Sequence, residues 1–470
     1  MKRRLLGLFI TIIVVMCMPL GTASAYKPEF KEWNQAINSV VNEEGLNLGS
    51  VSLDQASLAI VSLDRRRLVR DIYEYTIVLK VGPGEFDKIG IHRVVKERRH
   101  RVVWGRRPPC PINKSSRAIM MLHGDTSDFR SAFLMSTQSD KVPIKHSLAI
   151  YLAQRNIDVW GIDLRWTFVP DCNDNCTFME NWDTASHLKD IRTAVRIARV
   201  VRGLTGSGFG KMFMLGHSRG AQFTYAYANE ETHLPWWEQS LRGIIPVDTV
   251  YKFDPDEDGL IINACIRLDA LEELRDFEIY YSDKAVNLKG ITYLANNDPD
   301  DNSIIKGLEY FTNQQVAWFA LSATYATYPP MPPPVSFYHY CGGTFDDGLP
   351  TGLQFTNSDY MLDFSFAVPS FQSLGEIIDG EAIRCGNFTP YDDYLDKIET
   401  PVFYVGAAGG FGAYGEYILE LLGSADKQSL IVQLYPPEGV ALDYGHIDLL
   451  FADNAKHKVW KPILKWIKSH

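Results

Sequence analysis

The stretch Met212-Phe213-Met214-Leu215-Gly216-His217-Ser218-Arg219-Gly220, followed by Ala221-Gln222-Phe223-Thr224-Tyr225-Ala226-Tyr227-Ala228, decides the fold. Four apolar residues in succession read as a strand buried on both faces, and the run after Gly220 reads as a helix. Glycines on either side of a lone serine let a strand turn sharply into a helix, which leaves the serine exposed where the strand ends. A serine hydroxyl is a poor nucleophile until a base takes its proton and donors stabilise the oxyanion that it creates. The backbone N–H of Arg219, at the start of the helix, is aimed at such a charge. A five-residue pattern is a weak signal in isolation, and its strand-turn-helix setting is what makes Ser218 a candidate nucleophile.

Working outward, the same type of strand recurs at Ala118–Leu122, Ile157–Asp163, Gly243–Val247 and Val402–Val405, with helical stretches at Leu148–Gln154, Thr184–Arg202 and Tyr417–Leu422. Unbroken apolar strands alternating with helices predict a mostly parallel sheet covered on both faces, with ligands beyond the carboxyl ends of the strands. Residues 73–95 read as a β-hairpin around Gly82-Pro83-Gly84. A last strand at Leu430–Leu434 and a closing helix at His457–Lys468 complete the pattern. The roughly 150 residues from 251 to 399 are too long for a loop. Rich in aromatics, with a Pro-Pro-Met-Pro-Pro-Pro stretch at 329–334, they are expected to form an inserted, largely helical cap domain.

At this point the chain resembles the α/β-hydrolase superfamily, its serine esterases and lipases in particular, over residues 73–250 and 400–470. His123-Gly124-Asp125 is similar to the family's oxyanion loop, which implies the backbone N–H of Asp125 as a second donor beside that of Arg219. Trp160-Gly161-Ile162-Asp163-Leu164-Arg165 is similar to the fourth strand and the loop after it, and Gly445-His446-Ile447-Asp448 to the late catalytic histidine. Among the histidines, only His446 lies in a loop beyond the last strand; His217 and His123 sit in the elbow and the oxyanion loop, and His457 and His470 on or after the last helix. The acid departs from the commonest pattern, since the loop Gly406-Ala407-Ala408-Gly409-Gly410-Phe411-Gly412 has no carboxylate. Asp248, ending the preceding strand, is the expected substitute, with Glu416, Asp443 and Asp448 as rivals.

The resulting expectation is a hydrolase of carboxylic esters acting through an acyl-enzyme on Ser218, with an apolar acyl or alcohol moiety under the cap. An acyltransferase or an amide or peptide hydrolase would use the same triad, and a non-catalytic binding protein on this scaffold is the alternative of another class. The carboxylate of Asp125 is expected to point away from the oxyanion.

Composition sets the remaining bounds. At 470 residues, 46% hydrophobic and 22% charged, the chain is globular and large enough for one elaborated domain or two intimate ones. Residues 1–25 read as an export signal: Lys2, Arg3 and Arg4, an apolar run from Leu5 to Leu20, then Ala23-Ser24-Ala25. Losing those three basic residues takes the net charge from −10 to −13. An acidic surface repels polyanions, so no nucleic-acid partner is expected, and no later stretch suggests a membrane span. The basic run from His92 to Arg107 reads as solvated strand faces. Residues 26–72, with an amphipathic pattern at Phe30, Trp33, Ala36, Ile37 and Val40, receive no role.

Beyond the signal stand six cysteines, Cys110, Cys172, Cys176, Cys265, Cys341 and Cys385, an even number that permits up to three disulfides in an exported chain. Cys172 and Cys176 read as a stapled loop, since no histidine lies near them at zinc-finger spacing. Gly410-Phe-Gly-Ala-Tyr-Gly415 fits a dinucleotide fingerprint, but too little chain follows it to build the repeated βαβ units that such a site needs. Gly206–Lys211 lacks the first glycine of a phosphate loop. No cofactor is expected, apart from a structural calcium at Asp254-Pro-Asp256-Glu-Asp258-Gly259, whose twelfth position is Cys265 instead of a bidentate glutamate. Asn113, Asn175 and Asn387 begin glycosylation sequons, which matter only in a eukaryotic secretory host.

Overall fold

The apolar strands alternate between two cores, which is why their hydrophobicity is continuous. In Ala118–Leu122, Ile119 and Met121 enter one buried cluster while Ala118, Met120 and Leu122 enter the other; in Met212–His217, Phe213 and Leu215 part from Met212 and Met214 in the same way. These strands belong to a computed structural model that describes residues 59–97, 112–171 and 176–470. The expected signal peptide, residues 26–58, the basic residues 98–107, Cys110, Cys172 and Asn175 lie outside the described residues.

The strands run β1 Ala59–Val69, β2 Ile72–Lys80, β3 Lys88–Lys96, β4 Ala118–Leu122, β5 Asp158–Asp163, β6 Met212–His217, β7 Leu241–Val247, β8 Tyr281–Ser282, β9 Gly343–Asp346, β10 Leu349–Leu353, β11 Gln372–Ser373, β12 Val402–Ala407 and β13 Lys427–Val432. Nine form one sheet in the order β1-β2-β3-β5-β4-β6-β7-β12-β13. From β5 onward every pairing is parallel, and β1, β2 and β3 add an antiparallel edge. The α-helices are α1 Phe129–Phe133, α2 Leu148–Ala153, α3 Thr184–Leu204, α4 Arg219–Thr232, α5 Asp258–Asp276, α6 Lys284–Asn297, α7 Asn313–Ser322, α8 Ser358–Ala367, α9 Leu374–Arg384, α10 Tyr417–Leu421, α11 Asp448–Phe451 and α12 Lys461–Ser469. Helices α3 and α4 supply one core; α2 and α12 cover the other face, where Trp466 meets Phe213 and Phe403 at ring separations of 5.6 and 5.9 Å. Between β7 and β12 the chain leaves the sheet and forms α5 to α9 with the ribbons β9–β10 and β8–β11.

Three readings of the sequence change. The sheet begins at Ala59, inside the segment given no role, because β1 is an edge strand whose Arg65 and Arg66 pair with Glu97 and Glu74 instead of entering a core. Within the basic run, Arg93 is not solvated: it is 1% exposed and grips Asp158 through two bonds of 2.8 and 2.7 Å, a bidentate pair buried at the junction of β3, β5 and α3. The last strand, too, ends two residues early, because the Leu434 N–H turns to the Asp443 carboxylate.

His92, also buried, lies between Glu74 Oε1 at 2.8 Å and Asp163 Oδ2 at 2.7 Å, and Asp163 Oδ1 accepts the N–H of Phe129 as α1 begins. Burial by itself would lower the pKa of this imidazole, but Asp163 and Glu74 raise it to about 9. A folded-state pKa above the unfolded value of about 6.5 means stabilisation that is complete below that value and lost as pH climbs through 9. We expect the wild type to lose on the order of 3 kcal/mol of stability between pH 6.5 and 9.5 from this group. Thermal melts across that range check it: His92→Gln should flatten the slope, and equal slopes in the two proteins would reject the assignment.

Candidate active site

The bend after β6 needs both of its glycines. A Cβ on Gly216 would lie 1.9 Å from the carbonyl oxygen of Gly220, and one on Gly220 would lie 2.2 Å from that of Leu122. The start of α4 thus presses against the ends of β6 and β4, and Ser218 is held at φ 57°, ψ −120°, a strained conformation for a residue with a side chain. Arg219 occupies the first helical position, whose N–H has no acceptor within the helix.

Asp248 follows β7 as Ser218 follows β6, and since His217 is in register with Val247, the two stand next to each other at the sheet's carboxyl end. The Asp248 carboxylate is fully buried. Oδ1 accepts N–H groups from Ala407 (2.8 Å), Phe411 (3.2 Å) and Gly412 (3.2 Å), and Oδ2 lies 2.6 Å from His446 Nδ1. A Cβ on Gly410 would fall 2.0 Å from Oδ2. The glycine-rich loop without a carboxylate is therefore a cradle for the carboxylate of the preceding strand, and close packing accounts for its glycines without any nucleotide.

A carboxylate can only accept, so the hydrogen between the two groups belongs to Nδ1 and leaves Nε2 as the basic nitrogen. Three rings hold the imidazole: His217 at 4.4 Å, Tyr338 at 5.4 Å and Phe411 edge-on at 5.7 Å between centroids. His217 Nε2 lies 3.1 Å from the carbonyl oxygen of His446, and burial followed by the neighbouring His446 pushes its pKa well down, so His217 is a neutral donor. The His446 loop also leans on the insertion, because the N–H groups of His446 and Ile447 donate to His339 O (3.0 Å) and Tyr340 O (2.7 Å).

The rival acids serve elsewhere. Asp443 binds the N–H groups of Leu434, Tyr435 and Tyr444. Asp448 takes those of Gly342 and Gly445, both at 2.8 Å, and the Thr356 hydroxyl, stitching the histidine loop to the insertion; burial raises its pKa to about 6. Glu416 stands at the start of α10, where its N–H donates to the carbonyl oxygen of Ala413.

The expected oxyanion loop, His123-Gly124-Asp125, packs on the elbow: a Cβ on Gly124 would be 2.8 Å from Ser218 Cβ. Asp125 Oδ1 is engaged by Arg219 Nε at 3.0 Å and Gln372 Nε2 at 2.6 Å. Partial desolvation opposes ionisation of this side chain, which is still 42% exposed, but Arg219 together with Gln372 more than offsets it and holds the carboxyl below its usual range. The structure thus brings Ser218, Asp248, His446, Arg219 and Asp125 to one end of the sheet. Sequence reading missed Gln372, His217, His339, Tyr338 and the stitching by Asp448; Gln372 lies 247 positions from Asp125, and no local pattern signals such a contact.

Asp254 Oδ1 accepts the N–H of Asp256, closing an exposed turn, and among the described residues no group of three or more His, Cys, Asp or Glu side chains is arranged to hold a metal. Cys265 and Cys385 form a disulfide between α5 and the end of α9, while Cys341 is a buried free thiol, which lowers the largest possible number of disulfides from three to two.

The fold is that of the α/β-hydrolases. A candidate lipase from Sulfolobus solfataricus superposes with a TM-score of 0.57 at 17% identity, covering 88% of this chain and 99% of that one. A soluble variant of monoglyceride lipase from Saccharomyces cerevisiae aligns over 90% of this chain and 98% of its own at 14% identity, with a TM-score of 0.45. No protein-family profile and no curated protein sequence matches the chain.

Proposed function

We propose that this protein is an exported serine hydrolase that cleaves carboxylic esters through an acyl-enzyme on Ser218. The observation that carries the proposal is the 2.6 Å contact between His446 Nδ1 and a buried Asp248, which leaves Nε2 free to act at the elbow beside it. His446 takes the Ser218 proton as the hydroxyl attacks the ester carbonyl, and Asp248 orients the imidazole and stabilises its protonated form. The N–H groups of Arg219 and Asp125 bind the oxyanion, His446 returns the proton to the leaving alcohol, and water releases the acyl group by the reverse sequence.

Residues 251–399 act as the cap. Tyr328, Tyr338, Tyr340 and Phe411 form a connected aromatic cluster beside His446, which suits an apolar acyl or alcohol moiety. Buried cations near the site are already paired, Arg219 with Asp125 and both Arg267 and Arg384 with Glu381, which favours an uncharged ester. Export is supported by the character of residues 1–25 and by the Cys265–Cys385 disulfide. Among the described residues no helix is long and apolar enough to cross a membrane.

A fluorophosphonate probe tests the reading. The expected result is one covalent adduct that peptide mass spectrometry maps to Ser218, together with turnover of p-nitrophenyl esters that varies with acyl length. A folded protein that takes no label, or takes it on another residue, would sink the proposal.

A further inference from the structure

Gln372 reaches the oxyanion loop from the insertion. It begins strand β11, which pairs with β8, and it is 1% exposed. Its amide makes three bonds: Nε2 donates to Asp125 Oδ1 at 2.6 Å and to Glu376 Oε1 at 2.7 Å, and Oε1 accepts the N–H of Thr126 at 3.1 Å. Arg219 Nε meets the same Asp125 oxygen from the other side at 3.0 Å.

These bonds bear on one peptide plane. In a trans peptide the C=O and N–H point in opposite directions, so the Asp125 N–H is aimed by whatever holds the Gly124 oxygen. On the core side, Ser127 Oγ at 3.1 Å and His123 Nδ1 at 3.0 Å both engage that oxygen. On the other side, Asp125 lies beyond the end of β4 and no sheet hydrogen bond holds it. Thr126 follows at φ 49°, a left-handed conformation unfavourable for threonine that persists only where its surroundings impose it. Gln372 is what binds both neighbours, through the Asp125 side chain and the Thr126 N–H.

We infer that Gln372 is a positioning residue that clamps residues 125–126, so that the insertion completes the oxyanion hole as well as covering it. The inference rests on the proposed esterase reading, in which the Asp125 N–H is an oxyanion donor. Donors of this type act only when pre-aimed at the tetrahedral oxygen, so a loosened loop costs turnover far more than substrate binding.

The test compares wild type, Gln372→Leu and the shorter but polar Gln372→Asn on a short p-nitrophenyl ester, with an alkyl boronic acid as the tetrahedral-adduct mimic. Expected are a fall in kcat of about 10- to 100-fold, a change in KM of less than about threefold, and boronate affinity reduced in parallel with kcat. Unchanged kcat, or a loss confined to KM with boronate affinity intact, overturns the clamp. Should Gln372→Leu fail to fold, Gln372→Asn is combined with Asp125→Asn: non-additive losses in kcat are expected, and additive ones overturn the inference. If wild type turns over and labels at Ser218 while the Gln372 variants match it, the clamp alone fails; if wild type does neither, the esterase reading fails with it.

Discussion

Asp248→Asn is expected to slow ester turnover by about 10³- to 10⁴-fold with little effect on folding or KM. The substitution is nearly isosteric, and the Asn carbonyl can take the place of Oδ1, keeping the N–H groups of Ala407 and Gly412 satisfied. Phe411 N–H stands 3.2 Å from either oxygen, so it too retains an acceptor. The amide NH2 then occupies the Oδ2 position facing His446 Nδ1. Two donors cannot share a hydrogen bond, so the imidazole gives up its Nδ1 proton and carries it on Nε2. A protonated Nε2 cannot take a proton from Ser218, and the base is lost with its geometry intact. Steady-state kinetics with a melting curve checks this. Asp248→Ala serves as the contrast, because it strips the acceptor from three buried N–H groups and should cost stability as well, on the order of 2–4 kcal/mol. Asp248→Asn with wild-type kcat would exclude Asp248 as the acid.

The sheet and the elbow were legible in the sequence because their causes are local. A strand buried on both faces must be apolar throughout, and a strand that turns into a helix within two residues of its serine must place glycines where backbones touch. The pairing of Asp248 with His446 was legible by elimination: the loop after Val402–Val405 offered no carboxylate, and the structure supplies the reason, since its N–H groups already surround that of Asp248. What could not be read is long-range. In β1, Asp64, Arg65, Arg66 and Arg67 look like a loop until Glu74 and Glu97 of neighbouring strands are present to neutralise two of the arginines. Arg93 looks solvated until Asp158, 65 positions away, pairs with it. Gln372 is an unremarked polar residue until the insertion folds back on Asp125. Hydrophobic period records which face is buried; it does not record which polar groups meet there.

The most severe loss is expected from Ser218→Ala and from His446→Gln, each lowering kcat by about 10⁴- to 10⁶-fold, with the double variant no slower than the slower of the two. If the hydroxyl is activated only by the imidazole and the imidazole acts only through the hydroxyl, removing either removes the shared step, and removing the second takes nothing further. The two substitutions differ in structural consequence, which makes the kinetic equality informative. Alanine at 218 keeps the positive φ imposed by the bend and leaves the neighbouring packing alone. Glutamine at 446 gives up ring contacts with His217, Tyr338 and Phe411, so some stability should go with it. Residual turnover in all three variants would come from the Arg219 and Asp125 N–H groups acting on bound ester with water as the nucleophile, and it should respond to Gln372→Asn as wild type does. Losses that multiply in the double variant would mean that Ser218 and His446 act in separate steps, and the common proton transfer on which the esterase reading depends would have to be abandoned.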